Sequence, residues 1–426
     1  MENKIYMTMA AALFSTALFA QSGTNSPYSQ YGLGILSDQS LGYNRGMNGL
    51  SLGLRNGSQI NTVNPASYSA MDSLTMLFDL GASGQVTNFK EGSVRKNAYN
   101  ANFEYAVGAF RLLPKVGLSF GMLPYSNVGY NFATTVSGSS DVATSTYSGS
   151  GGLHQAFVGI GWNPIGHFSI GANISYLWGT LTRSIAVTHT NSYENTLSRT
   201  YTSNVNNYKL DLGAQWQQPL NKTDYVTLGA IVGIGHKLGA DATLTSSSTN
   251  TQQSKTSTNT YTIDNAYELP MSYGVGAAYT KGTKFTFGAD YTLQKWGSVK
   301  IPNNSSTSDV YTLQSGQMKD MSKITLGGEW LPNLTGRKFL ERVHYRLGAS
   351  YATPYYKVNG ADGPKEISVS AGFGIPIINT YNNRSILNIS GQWTHASATD
   401  LITENTFRIN IGITFNESWF MKWKVE

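Results

Sequence analysis

The chain has 426 residues, 30 Lys and Arg against 24 Asp and Glu, 45 Gly, 26 Tyr, 8 Trp and no Cys. The lack of cysteine excludes disulfides, and the diffuse net charge of +6, with no basic block interleaved with aromatics, speaks against a nucleic-acid partner. Charged residues make up only 13% of the chain, about half the ~25% typical of soluble domains.

The N-terminus reads as a secretory signal over residues 1–20. Lys4 supplies a short basic region, residues 6–19 are mostly apolar, and Ala20-Gln21 offers a cleavage point after a small residue. That apolar stretch is short for a bilayer-spanning helix, and no later run reaches about 18 apolar residues, which excludes transmembrane helices. Residues 21–71 form a separate small N-terminal unit: turn-rich at 26–34, punctuated by glycine at 45–54, and ending in Asn64-Pro65-Ala66. No sustained alternation precedes Leu74.

From Asp72 onward, fourteen segments alternate with period two, near 72–86, 99–112, 115–132, 150–163, 167–188, 200–218, 224–245, 262–280, 283–300, 318–331, 341–357, 365–377, 384–398 and 403–416. The last is the clearest: Phe407, Ile409, Ile411, Ile413 and Phe415 fall on one face, and Arg408, Asn410, Gly412 and Thr414 on the other. In a membrane barrel the apolar face meets lipid and the polar face lines the lumen. Lipid cannot hydrogen-bond an open sheet edge, so strands that cross a bilayer must close. The predicted fold is therefore all-β: a transmembrane antiparallel barrel of about 14 strands over residues 72–426, in the outer membrane of a Gram-negative cell.

Tight turns at Leu113-Pro114, residues 163–166 and residues 281–284 alternate with long polar connections after Thr134, over 246–260 and over 302–317, all expected as external loops. The turns at 332–340 and 379–383 are longer than ideal and leave the strand count open by two.

Catalytic chemistry is not expected. The six histidines, His154, His167, His189, His236, His344 and His395, lack metal-ligand spacing, Gly233-Ile-Gly235 continues a strand, and no serine is expected in a strained Gly-x-Ser-x-Gly elbow. No cofactor is implied. Two features point to passage of a molecule. Pro124, inside the third segment, cannot donate to a ladder, so it marks a bulge or a gap in the wall, with Gly129 letting the chain bend. The lumen side carries Glu104, Lys209, Asp211, Asp290, Lys323, Glu329, Arg346 and Arg408. Most are expected to pair as ion networks, and an unpaired cation among Lys323, Arg346 and Arg408 could hold a carboxylate headgroup.

With Asn64-Pro65-Ala66, the strand over 269–279, Asp290-Tyr291 followed by Trp296, and the run over 327–332, the chain resembles the FadL/TodX family of outer-membrane hydrophobic-compound transporters. The resemblance implies that residues 21–71 are a hatch plugging the lumen, joined to the wall near Asn64-Pro65-Ala66. It implies passive, hatch-gated uptake of a small hydrophobic, fatty-acid-like molecule, with lateral exit through a third-strand gap at Pro124 and Gly129. The expected partners are that molecule and outer-membrane lipid. The external loops are rich in Ser, Thr and Asn rather than apolar. That departure keeps open an alternative that the resemblance also allows: an accessory barrel, with protein partners, in outer-membrane protein secretion or surface assembly.

Overall fold

A computed structural model describes residues 23–138, 141–250, 252–304, 311–377 and 385–418. The signal expected over 1–20 and the turn expected at 379–383 lie outside the described residues.

Fourteen antiparallel strands form the wall: β1 (Thr75–Glu91), β2 (Val94–Leu113), β3 (Val116–Ser137), β4 (Val142–Ile165), β5 (Phe168–His189), β6 (Thr196–Pro219), β7 (Asp224–Gly233), β8 (Ser272–Lys281), β9 (Phe285–Gln294), β10 (Met321–Trp330), β11 (His344–Ala352), β12 (Lys365–Ile377), β13 (Ser385–Ser397) and β14 (Thr403–Ser418). Each strand pairs with its neighbour, and β1 pairs with β14 from Thr75↔Ser418 to Lys90↔Thr403, which closes the barrel. The count of fourteen stands, and the long connection at 332–340 joins β10 to β11 without adding a strand.

Alternation sets the facing. On β14, Phe407, Ile409, Ile411 and Phe415 are exposed on the outer surface, whereas Asn410, Thr414 and Asn416 are buried inside. Residues of this size at 37–52% exposure on one continuous surface need an apolar solvent, and lipid supplies it. No helix among the described residues is long and apolar enough to cross a membrane.

The expected external loops are largely paired backbone. The tract at 246–260 belongs to a hairpin of Asp241–Asn250 and Lys255–Ile263 that pairs with the first half of β6. The stretch after Thr134 continues β3 and β4 as far as Ser137↔Val142, and within 302–317 Ile301–Asn304 pairs with Tyr311–Gln314. The physical reason is that Thr is β-branched and suits a pleated strand as well as a loop. The two barrel ends thus differ in strand length more than in loop length. On β3 to β6 the strands run 22–24 residues, about twice the 9–11 needed to cross a bilayer.

Residues 23–71 pack against the wall strands, and their Leu41, Met47, Leu50, Leu52 and Ile60 are almost fully buried. Their regular structure is brief: 3-10 turns at Pro27–Gln30 and Pro65–Ala70, one α-turn at Gly42–Arg45, and a two-residue strand, Ile35–Leu36.

Candidate functional site: the N-terminal segment and the edge of the third strand

The wall is shaped for the N-terminal segment by omission of side chains. Gly117, Gly161, Gly171 and Gly213 stand side by side across β3, β4, β5 and β6. A Cβ on Gly171 would lie 2.4 Å from the Pro65 carbonyl carbon, one on Gly117 1.9 Å from the Tyr68 oxygen, and one on Gly213 2.3 Å from Asn64 Oδ1. The Pro65–Ala70 turn lies flat on this row. Asn64 caps the turn by accepting the Ala66 N–H at 3.2 Å, and its Nδ2 donates to Leu52 O at 2.9 Å and to Ala214 O of β6 at 3.3 Å. The Asn64-Pro65-Ala66 motif therefore touches the wall.

Polar wall side chains grip the segment's backbone. Asp290 on β9 accepts the N–H groups of Ser51 and Leu52 at 2.7 and 2.9 Å. Gln215 Nε2 donates to Leu52 O and Leu54 O, both at 3.0 Å. Arg45, buried in the segment, pairs with Glu104 of β2 at 2.9 Å and donates to Ser40 O at 2.9 Å. Burial pushes the Asp38 carboxyl up, but the nearby Arg45 and Lys323 cations and the bonds from Ser40 outweigh it and hold it below the ordinary range.

The β2–β3 ladder runs only from Leu113↔Val116 to Ala106↔Met122. Beyond Met122, the β3 edge that would face β2 takes its partners from the N-terminal segment. Ile35 pairs with Asn127 and Leu36 with Ser126. Ser37 N–H donates to Tyr125 O at 2.9 Å, Gln39 Nε2 to Pro124 O at 3.1 Å, and Asn127 Nδ2 to Ser37 Oγ at 2.9 Å. On the other flank, Asn102 of β2 donates to Gly23 O and Asn25 donates to Asn100, each at 3.0 Å.

Pro124 therefore sits where two irregularities meet. The β3–β4 register shifts between Pro124 and Ser126, and the β2 ladder has just ended. Across the bulge, Gly152 adopts φ +149°, and a Cβ there would lie 2.4 Å from Ser126 O, so this position requires glycine. Gly129 pairs in register with Ser150, and its backbone N–H donates to the Ser29 hydroxyl at 3.1 Å.

Beside this edge lies a cavity of about 410 Å³ between segment and wall. Leu123 and Tyr125 line it near the gap, and Asp38, Lys323, Arg408, Glu366 and Glu404 bring charge to it. Of the three cations expected to hold a ligand, Lys323 and Arg408 border this cavity. Arg408 is bound to Gln85 at 2.6 and 2.9 Å, and Lys323 lies near Asp38, whose carboxyl it helps to keep charged. Arg346 does not reach it: it is buried, bonded to Glu329 and Asn388 at 2.6 Å each, and lies over the Tyr43 ring. The expected ion networks form locally: Lys209 pairs with Asp211, Glu329 with its cross-strand neighbour Arg346, and Glu104 with Arg45. Above the cavity, Tyr31 stacks on Tyr356 at 5.2 Å, Tyr28 donates to Ile402 O at 2.6 Å, and Tyr355 and Arg183 donate to the carbonyls of Gly34 and Gly32.

The sequence Gly117-Leu118-Ser119-Phe120-Gly121 does spell the nucleophile-elbow pattern, but it lies inside β3, where buried Ser119 donates to Gly108 O at 3.1 Å. Among the described residues, no three acidic or histidine side chains converge as a metal site. Sequence reasoning missed Ser29, the Ile35–Leu36 strand, Asp38, Gln39 and Arg45. The charged Asp38 and Arg45 within an otherwise weakly charged, glycine-rich stretch were the available signal.

A family model described as BamG matches residues 1–426. No curated protein matches the sequence. Among solved structures, the Pseudomonas putida toluene transporter TodX superposes with a TM-score of 0.61 at 14% identity, covering 92% of this chain and 99% of its own. The Ralstonia pickettii toluene transporter TbuX gives 0.59 at 13% identity, covering 90% and 99%. A Pseudomonas aeruginosa FadL homologue gives 0.59 at 9% identity, also covering 90% and 99%. The likeness to FadL/TodX channels holds at the level of the fold, and the closed fourteen-stranded barrel with its outward apolar band belongs in the Gram-negative outer membrane.

Proposed function

The chain belongs to the BamG family, and we propose that it works as a gated outer-membrane conduit for small hydrophobic molecules. In this reading residues 21–71 are the hatch, and the β2–β3 gap is a lateral exit that the hatch itself keeps shut. The observation that carries it is the partner exchange on β3: its ladder leaves β2 at Met122, and the N-terminal strand Ile35–Leu36 takes the place. A wall strand bonded to a movable element can be opened without breaking the barrel. Passage is passive diffusion. Displacing residues 29–39 would uncover the β3 edge and join the cavity beside Leu123 and Tyr125 to the bilayer. TodX and TbuX carry toluene by their names, and an aromatic hydrocarbon or a fatty acid is the substrate class to test here.

A second reading, an accessory barrel in outer-membrane protein secretion or assembly, is supported by the lining of the lumen. The cavity is bordered by both signs of charge and by amides, such as Gln85, Gln155 and Gln392, rather than by a continuous apolar groove. Uptake of a monoaromatic hydrocarbon and of a long-chain fatty acid in a strain lacking the protein separates the two. Conduit function requires uptake to fall on deletion and to return with the wild-type chain. Unchanged uptake, together with stoichiometric protein partners retained in mild detergent, would establish the accessory role instead.

A further inference from the structure

The outer surface of the elongated strands carries an ordered lattice of hydroxyl groups. On β5, Ile174 and Tyr176 point outward at 59% and 54% exposure, and Leu177 and Leu181 point inward and are buried. Even-numbered positions therefore continue the lipid-facing surface upward, through Thr182, Ser184, Ala186 and Thr188. Cross-strand registers extend these rows over six strands: β3, β4, β5, β6 and both strands of the 241–263 hairpin. One row runs Gly129, Ser150, Thr182, Thr202, Thr243, Thr262, and the next Asn131, Ser148, Ser184, Thr200, Thr245, Thr260. Over four such rows, twenty of the twenty-four outward positions are Ser or Thr, and none is charged.

With strands about 4.8 Å apart and alternate residues about 6.7 Å apart, the lattice covers roughly 24 by 20 Å. Its hydroxyls bond one another in register: Ser184 with Thr200 at 3.1 Å, Ser247 with Thr258 at 3.2 Å, and Thr249 with Thr256 at 3.1 Å. Solvation alone does not account for the missing charge. On the same rim, the β1–β2 hairpin carries Lys90, Glu91, Arg95 and Lys96, all exposed.

The position of the lattice identifies its neighbour. Below it, past one row that carries Thr180, Asn204 and the exposed Asp241, is an aromatic belt, in which Tyr176 stacks with Trp178 at 5.7 Å and Tyr208 with His236 at 4.2 Å. Such belts mark the membrane interface. The lattice continues the lipid-facing surface from that belt to about 25 Å above it, taking the usual strand rise and tilt. We propose that this face packs against the neutral sugars of the outer-leaflet glycolipid. Each Ser or Thr offers one donor and two acceptors, as a sugar hydroxyl does, and each Thr adds a methyl group for the apolar side of a pyranose ring. The absence of Lys and Arg rules against the glycolipid's phosphates as the recognised group.

The test uses the full chain in nanodiscs made with a glycolipid bearing its core oligosaccharide or with the sugar-free lipid of the same acyl and phosphate pattern, and native mass spectrometry counts retained lipid. The expected preference for the sugar-bearing form is about five-fold or more, given a few hydrogen bonds of modest net worth. The Thr200→Val/Thr245→Val/Thr260→Val variant should bring that preference to near parity while its strand circular dichroism stays unchanged. Equal retention of both lipids by the wild type would overturn the proposal, and this comparison decides even if the variant does not fold.

Discussion

Ser29 holds the β3 edge at Gly129: its hydroxyl accepts the Gly129 N–H at 3.1 Å, and its single proton lies between Ser26 O at 2.7 Å and the Gly129 carbonyl at 3.2 Å. A single side chain thus supplies the acceptor that the Gly129 N–H lacks on this edge, and both residues are buried. Ser29→Ala leaves the buried Gly129 N–H unpaired, at a cost of about 1–3 kcal/mol where water does not replace the hydroxyl. Amide hydrogen exchange at residues 126–130 should rise by at least about ten-fold, with the distant β10–β12 wall unchanged. Unaltered exchange at 126–130 would mean that Ser29 does not hold this edge.

The glycine row under the Pro65–Ala70 turn is the second contact to probe. In Gly171→Val, the new Cβ would meet the backbone of Pro65 and Ala66 at 2.4–2.6 Å. Overpacking of this kind typically costs about 1–3 kcal/mol, and here the turn, rather than the wall, has room to move. Protease cleavage within 55–72 should appear while the heat-modifiable migration of the folded barrel persists. Resistance equal to wild type would show that the row is not a seat.

Asp290 tests the polar grip. Asp290→Ala removes the acceptor for the Ser51 and Leu52 N–H groups. Exchange protection at Ser51 and Leu52 should be lost, and Asp290→Asn, which keeps one acceptor oxygen, should restore part of it. Equal protection in all three proteins would contradict the assignment.

The pH dependence follows from Asp38. Its carboxyl is held below the ordinary value when the segment is docked, and a free aspartate titrates near about 3.9. A depressed docked value stabilises the docked state at every pH above the free value, and that contribution is lost only as pH falls through the docked value. The Asp38 contribution to the protease resistance of residues 23–71, read as the difference between wild type and Asp38→Asn, should therefore be flat from pH 7 to about 5 and decline below about 4. A decline already between pH 7 and 5 would exclude Asp38 as the controlling group.

The wall was legible because lipid and lumen impose a strict period of two: Phe407 to Phe415 and Tyr345 to Tyr351 could be assigned from alternation alone, whereas Val343, on the same alternation, is buried just before the strand. Pro124 was legible for a local reason, the missing N–H. The interior was less so. Residues 23–73 have little regular structure, so no period marks Ile35–Leu36 as a strand, and its β3 partners lie about 90 residues away, at Ser126 and Asn127. Gly117, Gly161, Gly171 and Gly213 are far apart in the chain, and only strand register brings them into one row. The Ser/Thr tracts were misjudged as loops because hydroxyl-rich strands and hydroxyl-rich loops have the same composition, and only the alternate rows distinguish them.

The central claim is that the N-terminal segment is the moving closure of the β2–β3 gap. The chain has no native cysteine, so Ile35→Cys/Asn127→Cys places one thiol pair at directly opposed positions of the two strands, about 5 Å apart between Cα atoms and within disulfide reach. The decisive measurement is hydrophobic-substrate uptake in cells whose only copy is this variant, oxidised and then reduced. Uptake should be abolished when the disulfide forms and recover on reduction, with the wild type indifferent to both treatments. Wild-type uptake through a fully cross-linked protein would show that the segment does not have to leave β3, and would contradict the account.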